Sequence, residues 1–225
     1  MHCGNTFLYT AHLLKAFGLC DPKNLLMKPL LQSVLFLLTI LSLMSCENGY
    51  RQVDGQWSYV TIDEGHGRRV QPLEVDPETF EILSQRAFAK DKDQVFYQGL
   101  VLPGVDAPSY RLLPSGIFTA DKDRIYFLHL PIGQADPATF EEIGYPYAKD
   151  KNFIYCGSIP IAPNQGQRLK VVRRSKGYSI ATLESFLRDN EPIAHLDTTG
   201  VTTVAYGYGE IRINGDRYVD FRKLE

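Results

Sequence analysis

The sequence predicts a mainly β protein, a stacked array of β-hairpin repeats of about 30 residues joined by short helical turns, with one C-terminal helix and a terminal β-hairpin. Two aspartates recur at this interval and mark the repeat. The first recurs as Asp76, Asp106 and Asp136. The second recurs as Asp91, Asp121 and Asp150. Because two independent markers keep nearly the same period, we interpret the period as a property of the fold rather than of chance.

The first half of each repeat predicts a helical turn. Asp76-Pro77 precedes a short segment that includes Phe80, and the other repeats follow the same plan. A carboxylate at the start of a helical turn accepts backbone N–H groups, and proline fits there because its missing N–H would have no partner.

The second half predicts a β-hairpin. An aromatic residue (Phe88, Phe118 or Tyr147) opens a strand that runs into Asp-Lys-Asp or Asp-Lys-Asn, and a β-branched and aromatic run follows. Aspartate at the head of a turn, and Asp or Asn where the backbone is left-handed, favour a short hairpin loop. Since a single hairpin is marginal in water, we expect neighbouring repeats to stabilise one another through their aromatic faces.

The flanking segments also contain recognisable elements. Residues 51–73 predict a strand, a turn at 64–67 and a second strand, which together cap the array. Residues 168–174 predict another strand. The segment Ser179 to Arg188 has apolar residues at helical spacing and a serine placed to cap it, which predicts a helix. Asn214-Gly215 between alternating runs predicts the terminal hairpin.

These observations divide the chain into four segments. Residues 1–45 are expected to be a leader and lipoprotein signal peptide, and residues 46–74 a tether with capping strands. Residues 75–163 hold the three repeats. Residues 164–225 form a C-terminal β/α segment, which we interpret as a degenerate repeat.

The repeats resemble a known family. Ala148-Lys149-Asp150-Lys151-Asn152-Phe153-Ile154-Tyr155 and its two partners are similar to the repeats of the DKNYY family of bacterial proteins. The sequence departs from that motif at Asp93, Asp123 and Cys156. The resemblance covers residues 75–163, less than half of the expected mature chain, and implies a repeat architecture and a cell-envelope location. It implies no mechanism, because the family has no assigned biochemical activity.

The segment Pro29–Ser45 predicts export. It contains no charge, follows Lys28 and holds an apolar stretch of about 15 residues, which is typical of a secretory signal. Its end, Leu43-Met44-Ser45-Cys46, resembles the lipobox of bacterial lipoproteins, with an aliphatic residue three places before the cysteine and a small residue directly before it. We therefore expect Cys46 to be lipidated and to anchor the mature protein to a membrane of the bacterial cell envelope, facing the periplasm or the surface.

Two alternatives accompany this expectation. An uncleaved transmembrane helix is disfavoured because the stretch is shorter than the ~20 residues that span a bilayer easily. Met27-Lys28 would make a conventional start, so we expect residues 1–26 to precede the true initiator or to form a long leader region.

Charge and cysteine content restrict the partners. The whole chain has 24 basic and 26 acidic residues, and removing Lys15, Lys23, Lys28 and Asp21 leaves 21 basic and 25 acidic residues in the mature part. This acidic balance argues against nucleic acid as a partner. Beyond Cys46 only Cys156 remains, so no intramolecular disulfide is predicted.

Two features could indicate a metal site and a nucleophile, but both have a structural interpretation. The Asp-Lys-Asp/Asn triplets would suit calcium by their carboxylates, yet they lack the glycine and distal glutamate of an EF-hand loop, so we interpret them as turns and predict no metal site. Cys156 occupies the repeat position of Tyr97 and Phe127, which predicts a buried structural thiol rather than a nucleophile. No cofactor is predicted.

Histidines, basic residues and aromatic residues supply the remaining candidates. His195 with Asp197, and His66 near Asp63 and Glu64, are candidate acid–base pairs, but no GxSxG or HExxH motif accompanies them.

A run of basic residues suits either contact with anionic lipid head groups or a solvated strand face. It comprises Arg168, Lys170, Arg173, Arg174 and Lys176. A candidate aromatic ladder for sugars or peptides comprises Tyr97, Tyr126, Phe127, Tyr155, Tyr206 and Tyr208. Core packing is the favoured interpretation of that ladder, because consecutive strand residues face opposite sides.

The sequence thus predicts a cell-envelope lipoprotein with a non-enzymatic binding or scaffold domain, whose ligand is a protein or a glycan. One alternative is a small envelope hydrolase using His195 or His66, which requires these side chains to converge with carboxylates in one cleft. A second alternative is an accessory subunit of an envelope assembly. The sequence predicts no oligomeric state.

Overall fold

The computed structural model describes residues 48–63, 65–191 and 193–225. The predicted signal peptide and Cys46 lie outside these residues. The chain divides into two compact units, of which the first includes Val60–Val70 and the second comprises Tyr50–Tyr59 and Gln71–Glu225. Within the described ranges, no helix is long and apolar enough to cross a bilayer.

The first sheet has three strands in the order β1-β2-β3: β1 (Gly49–Val53), β2 (Gln56–Asp63) and β3 (Gly67–Pro72). The predicted pair corresponds to β2 and β3. An additional strand, β1, precedes them because Asp54 and Gly55 take φ angles of 51° and 81°, and this left-handed pair makes a tight two-residue turn.

Each repeat forms a four-stranded antiparallel meander, here called a layer. The first layer contains β4 (Glu81–Ile82), β5 (Phe88–Lys90), β6 (Val95–Tyr97) and β7 (Leu100–Val101). The second contains β8 (Arg111–Leu112), β9 (Phe118–Ala120), β10 (Ile125–Phe127) and β11 (Leu130–Pro131). The third contains β12 (Glu141–Gly144), β13 (Tyr147–Lys149), β14 (Phe153–Cys156) and β15 (Ile159–Pro163). The predicted hairpin is the central pair of each layer, and two outer strands extend it.

The predicted helical turn forms a defined helix in one of the three layers and a single turn in the other two. In the second layer a 3-10 helix spans Ala107–Ser109, and the Asp106 carboxylate caps it by accepting the N–H of Ser109 at 3.2 Å. The other two layers have a single hydrogen-bonded turn at this place, in which Thr79 N–H donates to Asp76 O and Thr139 N–H to Asp136 O, each at 3.3 Å.

The last sheet repeats the meander order with longer strands. It contains β16 (Leu169–Thr182), β17 (Thr203–Ile213), β18 (Asp216–Val219) and β19 (Arg222–Leu224), paired in that order. The predicted hairpin turn at Asn214-Gly215 is confirmed, with φ angles of 54° and 102°. We call this sheet the terminal sheet.

The predicted helix begins later than the sequence indicated. The helix α1 spans Leu183–Asp189, and its N-cap is Thr182, whose Oγ1 accepts the N–H of Ser185 at 3.2 Å. Ser179, the predicted cap, lies in β16 opposite Tyr206. The prediction was wrong at this end because pairing with β17 satisfies the backbone of residues 179–182, and tertiary pairing outweighs a weak helical preference.

The core consists of clusters between consecutive sheets, and both faces of each central hairpin are buried. In β6, Val95 and Tyr97 pack with Tyr126 of the second layer, whereas Phe96 between them packs with Tyr50. Successive strand side chains point to opposite faces, so one strand serves two clusters.

The same alternation continues along the array. Phe118 and Phe127 of the second layer pack with Tyr155 of the third, and Tyr147 and Cys156 pack with apolar residues of the terminal sheet. The structure confirms the predicted fold class: mainly β, with stacked hairpin repeats and one C-terminal helix.

Candidate functional site

The repeated aspartate of each hairpin is the centre of a hydrogen-bonded turn. The Asp121 side chain is 2% exposed. Its Oδ1 accepts the N–H groups of Asp123 at 2.8 Å and Arg124 at 2.7 Å. Its Oδ2 accepts the N–H of Asp106 at 3.2 Å and the hydroxyl of Tyr126 at 2.8 Å. Four donors therefore occupy this carboxylate.

The same arrangement recurs in the other layers. In the third layer, Asp150 accepts the Tyr155 hydroxyl at 2.9 Å and the Asp136 N–H at 2.8 Å, besides two N–H groups of its own turn. In the first layer, Asp91 accepts three backbone N–H groups. Phe96 stands where the other layers have tyrosine, so this carboxylate receives no hydroxyl.

The lysine in each triplet contacts the other repeated aspartate. Lys122 Nζ lies 2.9 Å from the Asp106 carboxylate, and the equivalent ion pairs are Lys92–Asp76 and Lys151–Asp136. The backbone N–H of Lys122 also donates to Ser109 Oγ at 2.9 Å. These contacts tie the first half of a repeat to its hairpin, which explains why the two aspartates keep a fixed interval.

The pKa values of the first set of aspartates follow from these contacts. The Lys92 ammonium is the main cause that lowers the pKa of Asp76, and Lys151 acts in the same way on Asp136. For Asp106 the Ser109 hydroxyl lowers the pKa most, followed by Lys122.

The pKa of Asp121 is set by opposing effects. Burial is the largest single effect and raises the pKa, but the hydrogen bonds from the Tyr126 hydroxyl and three backbone N–H groups outweigh it, so the pKa is lowered. These donors use the lone pairs that a cation would need. Among the described residues, no group of three or more His, Cys, Asp or Glu side chains is arranged to hold a metal ion.

One detail of the predicted turns was wrong. Asp93, Asp123 and Asn152 do not have left-handed backbone. The carboxylate of the preceding aspartate accepts their N–H groups directly, and such an Asx-turn needs no positive φ. Left-handed backbone occurs in the following turn of each layer, at Gln98, Leu128 and Gly157, with φ of 50°, 57° and 62°.

The candidate pair at His66 forms part of a turn. Its Nδ1 lies 3.1 Å from Asp63 Oδ1, and the same oxygen accepts the N–H groups of Gly65 and His66. Both side chains are more than half exposed, at 66% and 52%. The hydrogen bond from His66 N–H is the main cause that lowers the pKa of Asp63. Glu64 lies outside the described residues.

His195 and Asp197 do not form a pair. The His195 ring lies 6.1 Å from the ring of Phe153, and its carbonyl accepts Gln134 Nε2 at 2.9 Å. The Asp197 carboxylate accepts the N–H of Thr199 at 2.9 Å. In the part of the chain that the structure describes, no hydrogen bond or salt bridge joins the two side chains.

One further side chain is buried and another is partly buried. Cys156 is fully buried, its Sγ donates to Gly207 O at 3.4 Å, and burial raises its pKa. His129 was missed by sequence reasoning because no motif surrounds it. Its ring stacks on Tyr97 at 4.6 Å, its Nδ1 is shielded from solvent without a partner, and burial lowers its pKa.

The candidate aromatic ladder is mostly core. Four of its six members are at most 9% exposed: Tyr97, Tyr126, Phe127 and Tyr155. Tyr208 remains 37% exposed, and on the neighbouring strand Tyr178 and Ile180 are 43% and 45% exposed. Sequence reasoning missed Ile180 as a surface residue because it assigned this position to the buried face of a helix. Strand register places Tyr178 and Ile180 on one face of the sheet, opposite Gly207 and Ala205, whereas Tyr208 lies on the other face. We call Tyr178 and Ile180 the exposed apolar group of the terminal sheet.

The basic run belongs to a larger basic surface. Strand register places Lys170 opposite Arg212, and Arg212 opposite Arg217, so the three lie in one row across β16, β17 and β18. Arg173 lies opposite Glu210, two residues before Arg212 on the same face. We call Lys170, Arg173, Arg212 and Arg217 the basic face.

One acidic residue lies within the basic face. Glu210 receives two hydrogen bonds from Arg217, each at 3.0 Å. The pKa of Glu210 is lowered by Arg217 first and then, among other effects, by Arg212 and Arg173. The opposite side of this sheet holds buried Ile211 and Ile213, so the terminal sheet has an apolar side and a charged side.

Comparison with known proteins gives a family relationship. The model of the DKNYY family matches residues 23–130 and, a second time, residues 118–224. The two matches together span most of the chain. No curated protein and no solved structure matches the chain.

Proposed function

The chain belongs to the DKNYY family, and from this premise we propose that the protein is a lipid-anchored component of the bacterial cell envelope that acts as a non-catalytic binding or scaffold module. The carboxylates, hydroxyls and ammonium groups of the repeat signature bond to one another inside each layer. This observation carries the non-catalytic part of the proposal, because groups that satisfy one another within the fold stabilise it and are not available to a substrate. The lipobox-like sequence before Cys46 supports the anchor.

The exposed apolar group of the terminal sheet is the proposed ligand-binding surface. Tyr178 and Ile180 lie two residues apart on β16, so they share one face, and they are 43% and 45% exposed. Tyrosine rings at a surface stack on sugars and pack against peptides while their hydroxyls keep a polar partner. A protein or a glycan is therefore the expected ligand.

The anchor is tested by labelling cells with radioactive palmitate. We expect the native protein to be labelled and a Cys46→Ala variant to lose the label. Cys156→Ser is the matched control, because Cys156 is the second cysteine of the mature part and lies in the core. Equal labelling of the native and Cys46→Ala proteins would end the lipid-anchor proposal.

The binding surface is tested by photo-crosslinking in cells. A photoreactive residue at Ile180 is expected to give a covalent adduct with an envelope component. The matched control is Val101, which is also about half exposed but lies in the first layer. If position 180 gives no adduct, or gives only the adducts seen at position 101, then the terminal sheet is not the binding surface.

A further inference from the structure

The basic face has few internal partners for its charge. Arg217 bonds to Glu210, but Lys170, Arg173 and Arg212 form no salt bridge with any described residue. Lys170 and Arg173 are exposed on the edge strand β16. The face keeps this positive charge although the whole chain has a net charge of −2. Basic side chains concentrated on one face of an acidic protein indicate a surface that attracts anions.

Strand register arranges the cations in a row. Neighbouring strands lie about 4.8 Å apart, so the row Lys170–Arg212–Arg217 sets three cationic groups side by side across the sheet. Arg173 extends the row along the strand direction. Cations spread across several strands of a sheet surface fit an array of anions, as on a membrane, better than a single polymer strand, which is bound along a groove.

Apolar side chains accompany the cations. Leu224 lies opposite Arg217 on β19 and is 37% exposed. Val172, at the bulge of β16 beside Arg173, is 49% exposed. Basic side chains next to exposed aliphatic ones are the combination that binds at the boundary between lipid head groups and acyl chains.

We propose that the basic face of the terminal sheet docks directly on a bilayer that contains anionic lipid, with Lys170, Arg173, Arg212 and Arg217 facing the phosphate groups and Leu224 entering the interface. This contact does not depend on a thioether at Cys46. It orients the terminal sheet against the membrane, whatever anchors the chain.

Vesicle binding tests the docking. The full-length chain carries Cys46→Ser, and its affinity is measured for vesicles of phosphatidylcholine alone and of phosphatidylcholine mixed with phosphatidylglycerol. The segment before residue 46, with Lys15, Lys23 and Lys28, is the same in every variant, so a change in the ratio of the two affinities between variants reports the basic face. We expect binding to prefer the anionic vesicles and to weaken as salt is added.

The variant Arg173→Gln/Arg212→Gln is expected to lower this ratio about 25-fold, roughly fivefold for each charge removed. Arg86→Gln/Arg111→Gln is the matched control, since it removes two exposed charges from the repeats. An equal fall in both variants would show an effect of net charge alone and would overturn the proposal. Unchanged melting curves and circular dichroism establish that each variant is folded.

A further variant separates a membrane from a soluble polyanion. Leu224→Ser is expected to weaken binding to the anionic vesicles severalfold and to leave binding of polyphosphate unchanged, because only a bilayer offers an apolar layer. If Leu224→Ser has no effect on vesicle binding, or if polyphosphate binds the native chain more tightly than the vesicles do, then the face serves a soluble polyanion and the lipid assignment is wrong.

Discussion

The internal layers and the terminal sheet use the same strand order in different ways. Central strands of the layers have three or four residues and are buried on both faces, whereas β16 and β17 have 14 and 11 residues. From Gly207 to Ile213, β17 buries only every second residue and so only one of its faces. In the layers, the carboxylates of the aspartate turns find their hydrogen-bond partners within the same layer. The terminal sheet uses an Asn-Gly turn and presents charged and apolar side chains to solvent. We therefore expect the stability to depend mainly on the layers and the proposed binding to depend on the terminal sheet.

The largest effect is expected from a core aromatic residue in a layer. Phe118→Ala should lower the free energy of unfolding by about 4 kcal/mol, because it leaves a cavity between the second and third layers. Ile180→Ala in the terminal sheet should change it by less than about 0.5 kcal/mol, since that side chain is half in solvent. Urea unfolding measures both. Similar losses would mean that the terminal sheet is as closely packed as the layers.

The second-largest effect on stability is expected from the aspartate turns. Asp121→Ala should cost about 3 kcal/mol in urea unfolding, because it strands three N–H groups and a buried tyrosine hydroxyl. Asp91→Ala should cost less, since Phe96 supplies no hydroxyl there, and Asp216→Ala in the terminal sheet should have little effect. Equal losses for Asp91→Ala and Asp121→Ala would contradict the role assigned to Tyr126.

The third effect is a dependence on pH. Asp76, Asp106, Asp121 and Asp136 have pKa values below those of an unfolded chain. Their stabilisation is therefore fully present above about pH 5 and is lost as pH falls through the lowered pKa values. We expect the melting temperature to fall on acidification, and Asp106→Asn/Asp136→Asn to flatten that fall.

A single substitution in the terminal sheet supplies the comparison for this titration. The pKa of Glu210 is also lowered, chiefly by Arg217. Glu210→Gln should reduce the fall of the melting temperature at acid pH less than the double variant does, because it removes one carboxylate with a lowered pKa and the double variant removes two. A larger flattening with Glu210→Gln would place the acid-sensitive contacts in the terminal sheet.

The smallest effect is expected from the exposed ion pair of the basic face. Arg217→Gln should leave the melting temperature nearly unchanged at moderate salt, because exposed ion pairs are screened and ordering long side chains offsets their attraction. Differential scanning calorimetry at two salt concentrations measures it. A large drop would mean that the basic face stabilises the fold.

The repeat could be predicted because local chemistry fixes it. Asp121 and its turn lie within a few residues of each other, so the aspartate, lysine and aromatic spacing already indicates the hairpin. The outer strands of each layer could not be predicted, since segments such as Leu100–Val101 have two residues and form only when the central pair is in place.

The surfaces could be predicted only in part. The basic residues of β16 are visible as a run, but Arg212 and Arg217 join them through strand register, which links residues more than 40 positions apart. The spacing of Ile180 from Leu183 and Leu187 suits a helix, and the sequence therefore predicts one at this position. Pairing with β17 is a long-range contact, and such contacts leave no mark in a local pattern.

The alternation of side chains in the central hairpins has a consequence for the number of repeats that the chain can hold. Each hairpin offers one face to the preceding neighbour and the other to the next. Deleting one whole layer would remove its two apolar interfaces with its neighbours. Those neighbours could then form one new interface, because each layer offers similar faces, so the net loss is one interface. Duplication would add one. The number of layers can therefore change one at a time. Each change alters the stability by about the contribution of one interface, and the first sheet and the terminal sheet are kept.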